Sequence, residues 1–536
     1  MTVTTQARAG REIGVERSTR GAFWLAGGLV GIALVARLAP LFDAGGRLLR
    51  QFPTEDGYLM LTIARNMALG KGITVSDGLI ATNGAQPLAT LLWAGVFWLT
   101  GGDRRLGVLG VQVLSLALAC VTAWLLFGLA RSLLGALRHG TSAAFLLTAA
   151  WLASPMVVVH SMNCLETGLY GLVVVCVARV FAGSPQAAPW SPGRCLAVGV
   201  LLGLAFWTRN DAMFLILAAC LVHVGWAFVD PAKPLARRIG ETLAFGATSV
   251  VTAAPWLVFN LLRFGSIVPI SGQSEALEGR FALNLWRVPG TVFEYATWFL
   301  PVPGSVEQAP WVLAGAALVC LAVTALAARA IRDGSPIARA IACLGAIYGV
   351  CLLLFYGLFF GAGYFFSRYL FPLSPFLALL TGAVLRRAWE LAEERGWRLA
   401  PAAAGALLLV FAAGLDLRLY RKGTEHMHFQ VVDWVQAHVP DDAWVGAPQS
   451  GTLGFFHDRT INLDGKVNPE ALRARVRDHE TLNYVLGKRE IEYLADWEGL
   501  ASWVQDPRMA AHFDLLVHDP EQNLAVLRRR DHAGPG

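Results

Sequence analysis

"QPLATLLWAGVFWLT", residues 86–100, decides the topology of everything that follows it. The run is apolar, but it holds only 15 residues, opens at Pro87 and stops at Gly101 and Gly102. Crossing a bilayer takes ~20 residues at 1.5 Å per residue. Length and flanks therefore suit an interfacial or re-entrant helix. If the run crossed, every later loop would change sides.

The rest of the 536-residue chain sets the context: 55% of residues are hydrophobic, 15% are charged and the mean hydropathy is +0.51. That is well above a soluble globular domain and reads as a polytopic membrane protein. Runs long enough to span lie near 22–43, 106–130, 142–160, 165–182, 195–208, 211–229, 240–262, 309–331, 338–360, 367–388 and 400–417. Eleven spans are expected. The first follows a basic N-terminus as a signal peptide would, yet it is as long as a bilayer is thick and lacks a small-residue cleavage site, so it reads as a retained anchor. The net charge of +6 comes from residues scattered between apolar runs, which excludes a nucleic-acid-binding patch. All eight cysteines fall between Cys120 and Cys351, mostly inside apolar runs and without metal-ligand spacing, and read as packing residues.

Lys and Arg near span ends accumulate in the cytoplasm, which tests the uncrossed reading of residues 86–100. With that run uncrossed, the cytoplasmic pieces hold Arg8, Arg11, Arg17 and Arg20; Arg131 and Arg138; Arg194; Lys233, Arg237 and Arg238; Arg332 and Arg339; and Arg386, Arg387, Arg395 and Arg398. The pattern is coherent. It predicts a multi-pass protein of the plasma (inner) membrane with a cytoplasmic N-terminus and an exoplasmic, periplasmic C-terminus. Residues 1–420 form the membrane module, with a first exoplasmic loop over 44–105, and residues 421–536 form a soluble domain. Alternating signals there predict a helix over 427–439, strands at 444–447 and 460–463, helices from Pro469 onward, and strands near 513–518 and 524–527, a small α/β domain. "QSGTLGFF" lacks the G-x-G-x-x-G spacing of a nucleotide site and reads as a tight turn.

In the first exoplasmic loop, "PTEDGYLMLTIARNMALGKG" begins as a capped helix: Thr54 can cap, and Glu55 and Asp56 complement the positive end of the helix dipole. Leu59, Met60, Ile63, Ala64 and Met67 form an apolar face opposite Thr62, Arg65 and Asn66, the pattern of an amphipathic helix lying on the membrane. A carboxylate at the rim of a helical bundle is also partly desolvated and becomes a better proton acceptor. Arginines at the same level can hold a phosphate by bidentate hydrogen bonds.

These residues resemble the GT-C superfamily of integral-membrane glycosyltransferases that use polyprenyl-phosphate sugars, which includes protein O-mannosyltransferases, lipid A aminoarabinose transferases and mycobacterial arabinofuranosyltransferases. "EDGYLMLTIARNMALGKG" resembles the family's first exoplasmic loop and "TNGAQPLATLLW", with Asn83, its interfacial helix. "NCLETGLYGLVV" is similar to a second-loop motif, "WTRNDAMFLIL" to an Arg-x-Asp element and "SRYLFPLSPFLALL" to the Arg-Tyr motif of a late span. "GTLGFFHDRTINLDGKVNP" resembles a segment of bacterial members with an exoplasmic C-terminal domain.

The resemblance implies a GT-C-like fold of about eleven transmembrane helices plus a small C-terminal α/β domain. It also implies inverting transfer of a sugar from a polyprenyl-phosphate donor to an acceptor hydroxyl on a glycan, lipid or protein. Asp56 is the favoured general base, with Glu55 beside it. Glu166, Asn163, His160, Asn83 and Gln273 become candidates for the acceptor or donor sugar, and Arg209, Arg368, Arg104, Arg105 and Tyr369 for the phosphate. No cofactor beyond the lipid-linked donor is expected; a divalent ion is used by some relatives but is not indicated by any cluster in this sequence.

Structural readings stand beside these. Arg209 and Asp211 equally suit a neutralising pair in a turn, Arg368 suits a residue snorkelling to the interface, and His160 suits a hydrogen-bonded interface histidine. Asn163 and Gln273 suit turn caps, Asp464 and Asn468 suit turn fixing, and Trp93, Trp98, Trp256 and Trp298 suit an aromatic belt. A lipid or solute transporter and a non-catalytic envelope-assembly subunit are the alternative functions. Charges gather at one rim and few interrupt span interiors, which disfavours transport.

Overall fold

The computed structural model describes residues 21–43, 46–183, 189–228, 233–297, 309–361, 366–397, 400–423 and 426–530. Arg8, Arg11, Arg17, Arg20, Trp298 and Arg398 lie outside these. Each of the eleven expected runs coincides with helix. Among the described residues eight helices are long and apolar enough to cross a membrane, and nine if Gly140–Ala153 and Pro155–Met162, bent by 59°, count as one span. Pro155 lacks the N–H that would continue the ladder, and the bend sits there. The two remaining runs form the shorter apolar helices Thr167–Ala182 and Pro192–Thr208. The chain is a multi-pass membrane protein.

Residues 86–100 form the helix Pro87–Leu99, whose 13 residues extend about 20 Å, short of a bilayer's hydrocarbon core. Ala89, Trp93, Ala94 and Phe97 are buried on one side, while Leu91, Leu92, Trp98 and Leu99 remain exposed. Of the tryptophans expected in an aromatic belt, Trp98 is exposed, but Trp93 and Trp256 are buried. Trp93 donates to the Cys164 carbonyl at 3.2 Å, so it packs the first loop onto the bundle instead of facing lipid headgroups.

The helix Glu55–Ala68 departs from its expectation in a similar way. Thr54 caps it, accepting from Gly57 N at 3.1 Å, but its polar side is covered by protein instead of being open to water. Tyr58, Leu61, Ile63 and Ala64 are buried, and so are Thr62 and Asn66 on the polar side. The following loop and the C-terminal domain cover that side: Asn66 donates to the Thr74 carbonyl at 2.9 Å, and Arg65 reaches Asp458 at 2.9 Å. Tyr58 packs against Phe455 and Phe456, with centroids 5.0 and 5.6 Å away. The helix is the layer between the membrane bundle and the domain above it.

That domain is a five-stranded sheet with β1 Trp444–Ala447, β2 Thr460–Asn462, β3 Ile491–Asp496, β4 Phe513–Asp519 and β5 Leu524–Arg529, in the order β2-β1-β3-β5-β4. β1 pairs in parallel with β2 and β3, whereas β5 runs antiparallel to β3 and β4. Strand β3, "IEYLAD", is central and almost wholly buried, yet the sequence reading runs helices through it. A short apolar run broken by Glu492 does not distinguish strand from helix by periodicity. "QSGTLGFF" supplies, in place of a tight turn, the short helix Gly451–Phe456 directly after β1.

The basic loops gather at the other end of the bundle. The helix Arg104–Leu134 starts where Arg104 meets Asp458 of the sheet domain at 2.9 Å. It ends near the contact of His139 with Glu393 at 3.0 Å. At the same end Arg194 and Lys233 flank the Trp190 ring.

Two close approaches set the layering. A Cβ on Gly57 would lie 2.3 Å from the Asn163 carbonyl oxygen, and one on Gly451 would lie 2.1 Å from the Glu55 carbonyl oxygen. Neither backbone atom can rotate away as a side chain would. Gly57→Ala and Gly451→Ala are each expected to cost about 1–3 kcal/mol, read as a lowered Tm in detergent. Gly499→Ala, with nothing within 4 Å of the new methyl group, should leave the Tm within error of the parent.

Candidate active site

Glu55 and Asp56 are neighbours in sequence, but a helix turns successive side chains about 100° apart, and they meet different surroundings. Glu55 is buried and accepts from the backbone N–H of Gly451, from Thr452 N at 2.8 Å and from the Thr452 hydroxyl. Its carboxylate therefore sits on the first N–H groups of the helix after β1, which have no partner within that helix. Burial pushes the Glu55 carboxyl above its ordinary range, against the pull of these donors. Beside it, burial holds the imidazoles of His426 and His428 down at about 4, so both are neutral at pH 7. Glu55, His426 and His428 are the one group among the described residues whose ligand atoms converge closely enough to hold a metal ion.

Asp56 is partly open, with 29% of its side chain accessible, and its Oδ2 accepts from Arg368 Nη1 at 2.7 Å. Burial alone would raise the Asp56 carboxyl; the Arg368 guanidinium, helped by Lys466 and His426, outweighs it and holds the group below its ordinary value. Lys466 comes from the loop after β2 and pairs with Glu275 at 2.8 Å. Although burial lowers the Lys466 ammonium, Asp464, Glu275 and Asp56 together hold it above its ordinary value. An open carboxylate thus has two cations around it, from a membrane helix and from the sheet domain.

Arg368 continues into a second network. Its Nη2 donates to Tyr369 Oη at 3.1 Å, and the Tyr369 ring stacks on Tyr356 at 4.7 Å. Behind that stack Arg209 is fully engaged: Nη1 to Glu166 at 3.0 Å, and Nη2 to Asp211 and to Tyr356, each at 2.9 Å. Arg209 has an extended backbone between Pro192–Thr208 and the turn Asn210–Ala212, so the helix breaks where its side chain must turn inward.

Residues 417–527 match the model of a family described as a domain of unknown function, DUF8728. A comparison with curated proteins finds no match. Among solved structures, ArnT from Cupriavidus metallidurans bound to undecaprenyl phosphate superposes with a TM-score of 0.59 at 17% identity, over 95% of this chain and 98% of that one. Its apo state gives 0.58 at 16% identity over the same shares. The oligosaccharyltransferase AglB from Archaeoglobus fulgidus, in complex with an inhibitory peptide and a dolichol-phosphate, gives 0.52 at 11% identity, over 95% of this chain and 74% of that one. The chain has the GT-C fold.

Within this GT-C fold the candidates named from sequence separate into two groups. Asp56, Arg368, Tyr369, Arg209 and Glu166 form one connected cluster, and His160 reaches its edge through Ser367 Oγ at 3.0 Å. The others are engaged elsewhere. Asn163 accepts from Leu165 N at 3.0 Å, and Asn83 bridges Asn260 and the Ile270 N–H at 3.1 Å each. Gln273 donates to the Val268 carbonyl at 2.7 Å. Arg104 holds Phe455 O at 2.6 Å together with Asp458, and Arg105 is exposed on the same turn. Asn468 caps the helix Pro469–Asp478. Burial raises the Asp464 carboxyl to about 6, and its Oδ1 accepts from Lys466 N at 2.8 Å.

Sequence reasoning missed Lys466, Glu275, Tyr356, Thr452 and the two histidines. The signal for Lys466 was its place in "LDGKVNP", and for the histidines the H-x-H spacing just after the last apolar run.

Arg209 carries a sharp energetic expectation, because it neutralises two buried carboxylates. Arg209→Met should cost about 3–5 kcal/mol through the charges it strands, seen as a large fall in Tm. Arg209→Lys should recover only part, since one ammonium does not reproduce the planar fork that reaches three partners.

Proposed function

We propose that this protein is a glycosyltransferase that moves a sugar from a polyprenyl-phosphate donor to an acceptor hydroxyl on the exoplasmic face of the membrane, with inversion. Asp56 carries the reading: it is an open carboxylate held by a guanidinium and faced by an ammonium, at the seam between membrane bundle and sheet domain in a GT-C fold. A likeness in fold to proteins bound to undecaprenyl phosphate and to a dolichol-phosphate supports the donor class.

In this reading the Asp56–Arg368 pair is the resting state. An incoming donor phosphate competes for Arg368, and its negative charge offsets part of the positive charge that holds the Asp56 carboxyl down. The carboxylate becomes more basic as the donor binds. The acceptor O–H then attacks the anomeric carbon, Asp56 takes its proton, and the bond from that carbon to the phosphate oxygen breaks. Charge grows on the departing phosphate, and Arg368 and Lys466 stabilise it more strongly in the transition state than in the ground state. Glu166, Asp211 and Arg209 act one layer behind, fixing Tyr356 and through it the Tyr369 stack that shapes the Arg368 side of the site. Glu55 is a docking residue in this scheme, leaving Asp56 as the base.

Asp56→Asn tests the assignment directly. Transfer of radiolabelled sugar from a polyprenyl-phosphate donor should fall by about 10²–10⁴-fold, the usual worth of a general base, while expression and Tm stay near the parent. Full transfer by this variant would remove Asp56 from the mechanism. Lys466→Ala and Arg368→Ala should both weaken transfer, and Arg368→Lys should fail to restore it fully because phosphate recognition by the fork is bidentate.

A further inference from the structure

Between the last membrane helix, Ala400–Lys422, and the helix Phe429–His438 the chain reads His426-Met427-His428. The alternation turns both imidazoles inward and leaves Met427 exposed. The two Nδ1 atoms are 3.0 Å apart, His428 Nδ1 lies 3.9 Å from Glu55 Oε2, and one ligand atom from each of the three residues falls within 4.8 Å of the other two.

Hydrogen-bond directions specify what these atoms offer one another. A carboxylate that ligates a metal is deprotonated and only accepts, so in that state the Thr452 hydroxyl gives its proton to Glu55. The same hydroxyl lies 3.2 Å from His426 Nε2 and must accept there. His426 therefore carries its proton on Nε2, and its Nδ1 is a bare lone pair aimed at His428 Nδ1. The Nε2–H to hydroxyl to carboxylate relay is the outer-sphere arrangement that fixes the tautomer of a metal-ligating histidine. His428 is held from its other side by Trp497, stacked at 4.7 Å.

We propose that Glu55, His426 and His428 bind a divalent transition metal of the zinc class, clasping the first exoplasmic loop to the C-terminal domain. Two imidazoles and a carboxylate are a donor set for zinc and its neighbours and not for magnesium or calcium, which take oxygen ligands. With metal–nitrogen bonds of about 2.0–2.1 Å tetrahedral ligand atoms stand ~3.3 Å apart, a separation bracketed by the observed 3.0 and 3.9 Å. The ligands come from residues about 370 apart in the chain, so the ion joins the membrane bundle to the domain that matches DUF8728. The site stands whether or not the chain transfers sugar, since Asp56 and Arg368 are not among its ligands.

The test uses the full-length protein purified through an affinity tag free of histidine. Elemental analysis should find one zinc equivalent per chain, and Met427→Ala should keep it. The His426→Ala/His428→Ala double variant and Glu55→Gln should lower metal affinity by about tenfold or more. Chelation should lower the Tm of the parent and of Met427→Ala but leave the double variant's Tm unmoved. Should the double variant fail to fold, cobalt added to chelated parent protein gives an independent reading: one equivalent should produce the visible absorption of a tetrahedral nitrogen and oxygen site and restore the Tm. A parent protein without zinc that also gives no cobalt spectrum, or a double variant that folds and holds metal as the parent does, overturns the proposal.

Discussion

A buried carboxylate is expensive unless donors surround it, and the position of Glu55 rests on that constraint. Three donors from Gly451 and Thr452 converge on it at the opening of a helix, where backbone N–H groups have no partner within the helix itself. One end of the contact belongs to the membrane module and the other to the sheet domain. By fixing the two together, it brings the loops after β1 and β2 over the first-loop helix and sets Lys466 near Asp56. Together with the Arg65–Asp458, Arg104–Asp458 and Lys466–Glu275 pairs, this contact holds the cation from the sheet domain in place over the acid below it.

The carboxyl ends of parallel strands are where open α/β sheets usually bind their ligands. Here that edge, formed by β1, β2 and β3, is covered from below by the start of the first-loop helix. The helix after β1 has the local form of an anion-binding turn, but the anion it holds is the protein's own Glu55. Asp496 at the end of β3 is likewise turned to internal use, accepting from Gln449 N and Trp497 N at 2.7 Å each. The sheet domain thus uses a familiar binding edge for docking, and the open site lies at the seam it creates.

Four acids near this seam have three kinds of surroundings. Glu55 is held by backbone N–H groups, Asp56 by an arginine shared with Tyr369, and Glu166 and Asp211 by one fully engaged Arg209. Accessibility sorts them: only Asp56 combines a charged partner with an open face, 29% against 6% and 5% for the Glu166 and Asp211 side chains. Arg368 and Arg209 differ in the same sense, the first linking an open carboxylate to Tyr369 and the second locking a layer behind it.

Much of this architecture was legible in the residues. Apolar run length alone placed a helix on every expected span, because a lipid-facing backbone must satisfy its hydrogen bonds locally. The short run at residues 86–100 was separable by its length, and Thr54, Glu55 and Asp56 marked a helix start by capping chemistry. What the sequence left open were the matters settled by partners far along the chain. Periodicity showed that Thr62, Arg65 and Asn66 share a polar face, but whether that face meets water or Asp458 depends on a domain some 390 residues later. Strand β3 escaped because its assignment comes from neighbours on both sides, not from its own alternation. Adjacent in sequence, Glu55 and Asp56 look interchangeable; a rotation of one residue along a helix gives one to the sheet domain and the other to Arg368. Local chemistry determined the helices and their ends, while the roles of the charged groups depended on burial and distance, which exist only once the chain has packed.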